Sequence, residues 1–326
     1  MRTVETSKKN RVQEWYATIP RKKKRLLFVA ATIIPLFIWL SIYFLIPIIT
    51  MVIYSFTNAH MAYDTYKFVG LDNYIRLFSD PMYLVAIKNS FICVACIVPA
   101  AVILSVLTAV GLNAMTDRLR EFFTFAYFMP SLLSMTAICL VWRWLYNPAY
   151  GLINAILNFI GIESQQFIQS SSQALYSLCV IQVWSIFGYY AVIILTAIRG
   201  VDKSIYEAAE IDGANSVQRF LHVTLPLIKN SILFVTVMVT NSAFMFFTPI
   251  KLLTKGGPGT STTTLLLYVM RNGIEQSNLG LGSAGSMVLM AMILCVSGIQ
   301  FLLTHEKKPK PIKVNRKSDL AKKGAN

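Results

Sequence analysis

Long runs of apolar side chains, broken by short polar islands, set the plan of this chain. Six runs are long enough to read as helices crossing a bilayer: about residues 26–56, 86–113, 122–146, 174–199, 231–250 and 283–303. Roughly 20 apolar residues cross a hydrocarbon layer of about 30 Å. Each run must be helical, because a strand would leave backbone N–H and C=O groups unpaired in lipid. The stretch 265–270 is too short to span before Arg271 interrupts it, and it reads as an interfacial or re-entrant helix. Pro35, Pro47, Pro99 and Pro130 fall inside predicted spans, where each removes one backbone hydrogen bond and bends or interrupts its helix.

Composition supports this pattern. Of 326 residues, 55% are hydrophobic and only 14% charged, too few to cover a soluble domain of this size. The net charge of +15 is mostly a topology signal. With the N-terminus placed in the cytoplasm, residues 1–25, Arg118, Arg120, the loop from Arg199 to Lys229 and residues 304–326 hold 23 of the 30 Lys and Arg. That bias puts both termini inside. It gives a basic tail at 1–25, a membrane domain at 26–303 and a second basic tail at 304–326. The charges lie on tails and loops without a DNA-reading motif, so nucleic acid is not an expected partner. The first run is too long for a signal peptide and reads as a retained anchor. All five cysteines lie in predicted spans, and Cys93 and Cys96 read as small apolar packing residues rather than a redox or metal pair.

The island between the fourth and fifth spans carries the most information. Ser204-Ile205-Tyr206-Glu207 fits a capping box. Ala208 and Ala209 favour helix and permit close approach, and Gly213 ends the helix by taking a positive φ. Asn215 or Ser216 caps a second short helix, on which Val217, Phe220, Leu221 and Thr224 form an apolar stripe. Pro226 suits the first turn of the next helix. The stripe either packs back on its own spans or is buried by a partner. His222 reads as a surface residue.

Within the spans, polar and aromatic side chains are costly unless they face a cavity or another helix. Asn89, Gln182, Trp184, Tyr189, Tyr190, Asn241 and Ser242 are the candidates to line a path through the membrane. The same residue types also hold helices together or belt the interface. No span centre carries Asp or Glu, so an ion-coupled secondary transporter or channel is the alternative with less support. No G-x-x-x-x-G-K-[ST] cradle occurs, and the Lys255–Gly259 cluster reads as a tight turn. His60, His222 and His305 are scattered, and no metal site or catalytic constellation is expected.

Glu207-Ala208-Ala209, Asp212-Gly213-Ala214 and Leu225-Pro226 resemble the E-A-A…D-G-A…L-P signature of the membrane subunits of binding-protein-dependent ABC importers. The chain is most similar to the sugar-permease branch, with the maltose and glycerol-3-phosphate permeases. Met129-Pro130-Ser131, Trp142, Asn147-Pro148, Gly151 to Asn154, Trp184, Gly188 and Thr254 to Gly259 extend the likeness over residues 25–305. Phe244 to Pro249 departs from the branch's Phe-Asp-like pattern, so no role carries over there. The resemblance implies an all-α, type I ABC importer permease-like bundle of six transmembrane helices in a bacterial plasma (inner) membrane. Residues about 204–226 would be coupling helices docking on a cytoplasmic ABC ATPase dimer, with Glu207 pairing with a basic residue of that ATPase. ATP would be bound and hydrolysed by that partner, leaving this chain without a cofactor or catalytic role. A second homologous permease, an extracytoplasmic solute-binding protein and a sugar substrate complete the implied assembly, embedded in membrane lipid.

Overall fold

The computed structural model describes residues 20–62 and 65–304; most of both basic tails, with His305, and Asp64 lie outside the described residues. In chain order the helices are α1 Arg21–Leu40, α2 Ile46–Ser55, α3 Asp72–Ser79, α4 Pro81–Asn113, α5 Asp117–Leu132, α6 Met135–Leu145, α7 Leu152–Phe159 and α8 Ala174–Arg199. There follow α9 Lys203–Ile211, α10 Ser216–Arg219, α11 Leu225–Leu227, α12 Lys229–Phe244, α13 Leu265–Met270 and α14 Leu279–Thr304. Among the described residues there is no strand beyond one isolated antiparallel bridge, Thr57 to Phe68.

Four helical stretches are long and apolar enough to cross a membrane: Phe28–Ser55, Pro81–Asn113, Ala174–Arg199 and Leu279–Leu303. Two bent pairs pass the same test when each pair is taken together. The predicted third span, 122–146, is not one helix: α5 and α6 meet at 98°. The predicted fifth span, 231–250, ends at Phe244, and α12 is bent by 70° from the Ser216–Leu227 helix before it. Apolar content reports the solvent around a segment, not its direction, so the α5–α6 bend sits inside an uninterrupted hydrophobic run, whereas the second bend falls at Ile228, just ahead of the predicted fifth span and beside Lys229. The α5–α6 bend lies just after Pro130, where the carbonyl of that residue takes the N–H of Leu133.

The prolines act less uniformly than expected. Pro35 and Pro99 lie inside helices that continue past them. Pro47 and Pro226 each follow a single π turn, Ser41–Leu45 and Phe220–Thr224, whose wide closure runs from the residue before the proline to a carbonyl five residues back. The wider turn gives the ring room that an ordinary α turn would deny it.

The chain forms two compact units, residues up to Leu84 with Tyr268–Val288, and Val85–Leu267 with the residues from Leu289 onward. In the first, buried Asn73 donates to the carbonyls of Ser55 and Thr57 at 2.9 and 2.8 Å, fastening α3 under the end of α2. Tyr268 donates to Asp80 at 2.5 Å. In the second, the core runs through Cys93, Ile97, Trp142, Leu178, Ile194 and Val239. Arg120 caps the end of α4 by donating to the carbonyls of Leu112 and Met115. Cys93 and Cys179 are buried in thiol contact, and all five cysteines are free. Leu265 to Met270 is helical as expected, but Leu265, Leu267, Tyr268 and Val269 are buried in protein, so it is not an interfacial helix.

Candidate functional site

The elbow between α8 and α12 is built from two short helices with well-made ends. Asp202, not Ser204, caps α9: its carboxylate accepts the Ser204 N–H at 2.9 Å. The expected Ser204–Glu207 capping box is therefore absent, because the helix begins two residues earlier than that pattern requires. The Ser204 backbone bond, helped by its side chain, holds the Asp202 carboxyl below the usual carboxylate range. Glu207 is left exposed, and the described residues offer it no partner. Ala208 is exposed and Ala209 half-buried, while Asp212 sits just past the helix end.

Gly213 has φ +80°, as the sequence led us to expect. Its N–H reaches the Glu210 carbonyl and the Ala214 N–H reaches that of Ala209, both at 3.0 Å. This is a Schellman closure, in which the left-handed residue satisfies the last carbonyls. Asn215 caps α10 with a reciprocal Gln218 bond at 2.9 Å in each direction. Arg219 joins Glu210 at 3.0 Å and ties the two short helices together. That pair is largely exposed and contributes no more than about 1 kcal/mol.

The apolar stripe divides between the two readings left open above. Phe220 packs on the core of its own unit and Thr224 is buried. Val217 and Leu221 face outward, as does Ile211, which is 87% exposed. Pro226 is exposed, in the helical run that ends at Leu227. The elbow is thus seated on its bundle by one side and presents an apolar face and a carboxylate on the other.

The path candidates fall into separate groups. Gln182 on α8 donates to Ser242 on α12 at 3.0 Å, with Asn241 exposed beside it. Tyr189 stacks on Phe128 at 6.2 Å and meets Tyr190 edge-on at 5.1 Å. Both tyrosines line a cavity of about 230 Å³ at the α5–α6 bend, with Pro130, Ser131, Leu133 and Ser185. Trp184 lies edge-on to Trp142 at 5.7 Å, on an apolar groove between α4 and α8. Asn89 is differently employed. It is buried and donates to the carbonyls of Thr260 and Thr263 at 3.1 and 2.9 Å, latching the Gly-Pro loop to α4.

Sequence reading gave no structural weight to Ser185 and Gly188. A Cβ on Gly188 would lie 1.8 Å from the Tyr127 carbonyl oxygen, so α5 and α8 cross backbone to backbone there. A lone glycine amid bulky residues in mid-span is the available cue. Among the described residues no group of three or more His, Cys, Asp or Glu could hold a metal ion.

Comparison with known proteins agrees with this architecture. A family profile described as "Binding-protein-dependent transport system inner membrane component" matches residues 91–308. The chain is 30% identical to the sulfoquinovosyl glycerol transport system permease protein SmoG of Agrobacterium fabrum, over 84% of this chain and 89% of that protein. It is 34% identical to the arabinooligosaccharides transport system permease protein AraP of Halalkalibacterium halodurans, over 82% of this chain and 84% of that one. The fold is similar to a chain of a bacterial alginate ABC transporter crystallised with an alginate pentasaccharide-bound periplasmic protein, with TM-score 0.75 and 21% identity over 87% of this chain and 96% of that chain. The helical bundle, the elbow and these matches together make the chain a member of the binding-protein-dependent transport system inner membrane component family.

Proposed function

We propose that this chain is the permease subunit of an ATP-driven importer for a carbohydrate. It forms part of the membrane path and receives mechanical work through residues 204–226. The observation that carries the reading is the elbow's outward side. Glu207 is an unpartnered carboxylate, and Ile211, Val217 and Leu221 are uncovered at the end of a well-capped helix pair. A cytoplasmic ATPase dimer covers that face, with a basic side chain opposite Glu207 and close approach allowed by Ala208 and Ala209. Asp212 and Gly213 set the turn that aims both helices. A second permease subunit and an external solute-binding protein complete the machine.

Carbohydrate as cargo is supported by relatives named for sulfoquinovosyl glycerol and arabinooligosaccharides. It is also supported by neutral hydrogen-bonding groups, Gln182 and Ser242, with Tyr189 and Tyr190 at the bend cavity. Six passes follow if each bent pair counts as one span, and the Lys and Arg bias then places both termini in the cytoplasm. Family membership removes the ion-coupled carrier as an alternative.

The test is a Val217→Cys variant in native membranes, with uptake of labelled oligosaccharide measured in parallel. The expected outcome is a thiol crosslink to a nucleotide-hydrolysing chain and uptake that requires both ATP and the binding protein. Uptake driven by an ion gradient without ATP, or an introduced thiol that never reaches a nucleotide-hydrolysing chain, overturns the reading.

A further inference from the structure

One element has no part in coupling or in the bend cavity. Helix α7, Leu-Ile-Asn-Ala-Ile-Leu-Asn-Phe, lies between the bent third span and α8. Its inner side is fixed: Asn154 is buried, donates to the Gln165 carbonyl and accepts the Gln165 N–H, both at 2.9 Å. Its other side carries Leu152, Ile156 and Phe159, continued by Ile160 and Ile162, all about half exposed or more. Phe159 is 91% exposed. Between residues 147 and 173 the only charged side chain is Glu163.

Two contacts fix the level of α7 relative to the bilayer. The start of α7 rests on the end of α6, since a Cβ on Gly151 would lie 2.4 Å from the carbonyl oxygens of Leu145 and Asn147. The end of α6 is tied to the first turn of α8, where Tyr146 Oη donates to the Ser177 carbonyl at 3.1 Å. With 26 residues, α8 is about 39 Å long against a hydrocarbon layer of about 30 Å, which puts its first turn among the headgroups. Trp144, Tyr150 and Tyr176 are exposed around the same level, as rings of a membrane-interface belt are.

We propose that α7 is an interfacial anchor lying along the bilayer surface, with its apolar side buried among phospholipid acyl chains. No charged side chain lies between Arg143, in the last turn of α6, and Glu163, beyond α7. Lacking any Lys or Arg, α7 binds by apolar burial and not by attraction to anionic headgroups. The proposal needs only that α8 crosses a bilayer, so it stands or falls separately from the importer assignment.

The experiment places p-benzoyl-phenylalanine at Phe159 or Ile156 of the full-length chain in native membranes, with Ser164 on the polar side as reference. Irradiation is expected to give a phospholipase-sensitive lipid adduct several-fold more abundant at 159 and 156 than at 164. The yield is expected to be equal in proteoliposomes of pure phosphatidylcholine and in those rich in phosphatidylglycerol. An adduct to another protein chain, the solute-binding protein included, overturns the proposal. So does equal lipid yield at all three positions, or no lipid adduct at 156 and 159. A several-fold gain with phosphatidylglycerol overturns the claim that anionic charge plays no part.

Discussion

At Gly188 a hydrogen atom occupies the place where any side chain would strike the Tyr127 carbonyl. Gly111, in another long span, has nothing within 4 Å of the same virtual position. The pair makes a controlled comparison. Gly188→Val has to push α8 off α5, an overpacking cost of about 1–3 kcal/mol or more. Thermal unfolding of the purified protein is expected several degrees lower for Gly188→Val and almost unchanged for Gly111→Val. Asp202 gives a second prediction. Its folded-state pKa is lowered, so its contribution is present above the ordinary carboxylate range and is lost as pH falls through the folded value. Hydrogen-exchange protection at the Ser204 amide should therefore fall only in acid. In Asp202→Asn the protection should become independent of pH, and in Asp202→Ala it should be weak throughout. The sequence pattern pointed to Ser204 as the N-cap, and the helix starts two residues earlier, on Asp202. The left-handed turn at Gly213 was legible because it depends on local chain chemistry, whereas the capping box expected of Glu207 did not form. The tasks of Asn89 and Gly188 were not legible, since their partners lie far along the chain.

Among elements, the elbow is the piece whose shape depends most on one backbone conformation. A Cβ on Gly213 would meet nothing within 4 Å, so space does not demand glycine there; the left-handed φ does. Gly213→Val costs about 1–2 kcal/mol locally, more for the branched side chain. It should leave membrane insertion intact while breaking the Schellman closure. In proteoliposomes with the partner subunits, ATP hydrolysis should persist while substrate uptake drops several-fold; uptake at the wild-type rate counts against the coupling role. The existence of the long spans and of both elbow helices was legible, because hydrocarbon length, caps and a Gly stop are local signals. The bend in the third predicted span was not, for a bilayer imposes the same apolar composition on both arms of a bent helix. Only Pro130, close before the bend, marks the place.

For the whole molecule, the charge bias makes a prediction about sidedness. Alkaline phosphatase fused after Ser164 should be active, while fusions after Gly213 or Thr304 should be inactive; the reverse pattern would put the elbow outside and remove its ATPase. Family and membrane character were legible from a motif and from composition. The grouping of polar side chains in the membrane was not, because Gln182 and Ser242 meet across 60 residues. The crossing at Gly188 bears on how a push could travel. With no side chain between the two backbones, that crossing would be the pivot for any tilt of α8 on α5. Counted along α8, about 16 Å separate Gly188 from Arg199 beside the elbow, and about 21 Å separate it from Ala174 at the far end. The helix is then a see-saw with its fulcrum off centre. A displacement of about 3 Å at the elbow end would swing the opposite end by about 4 Å in the other direction.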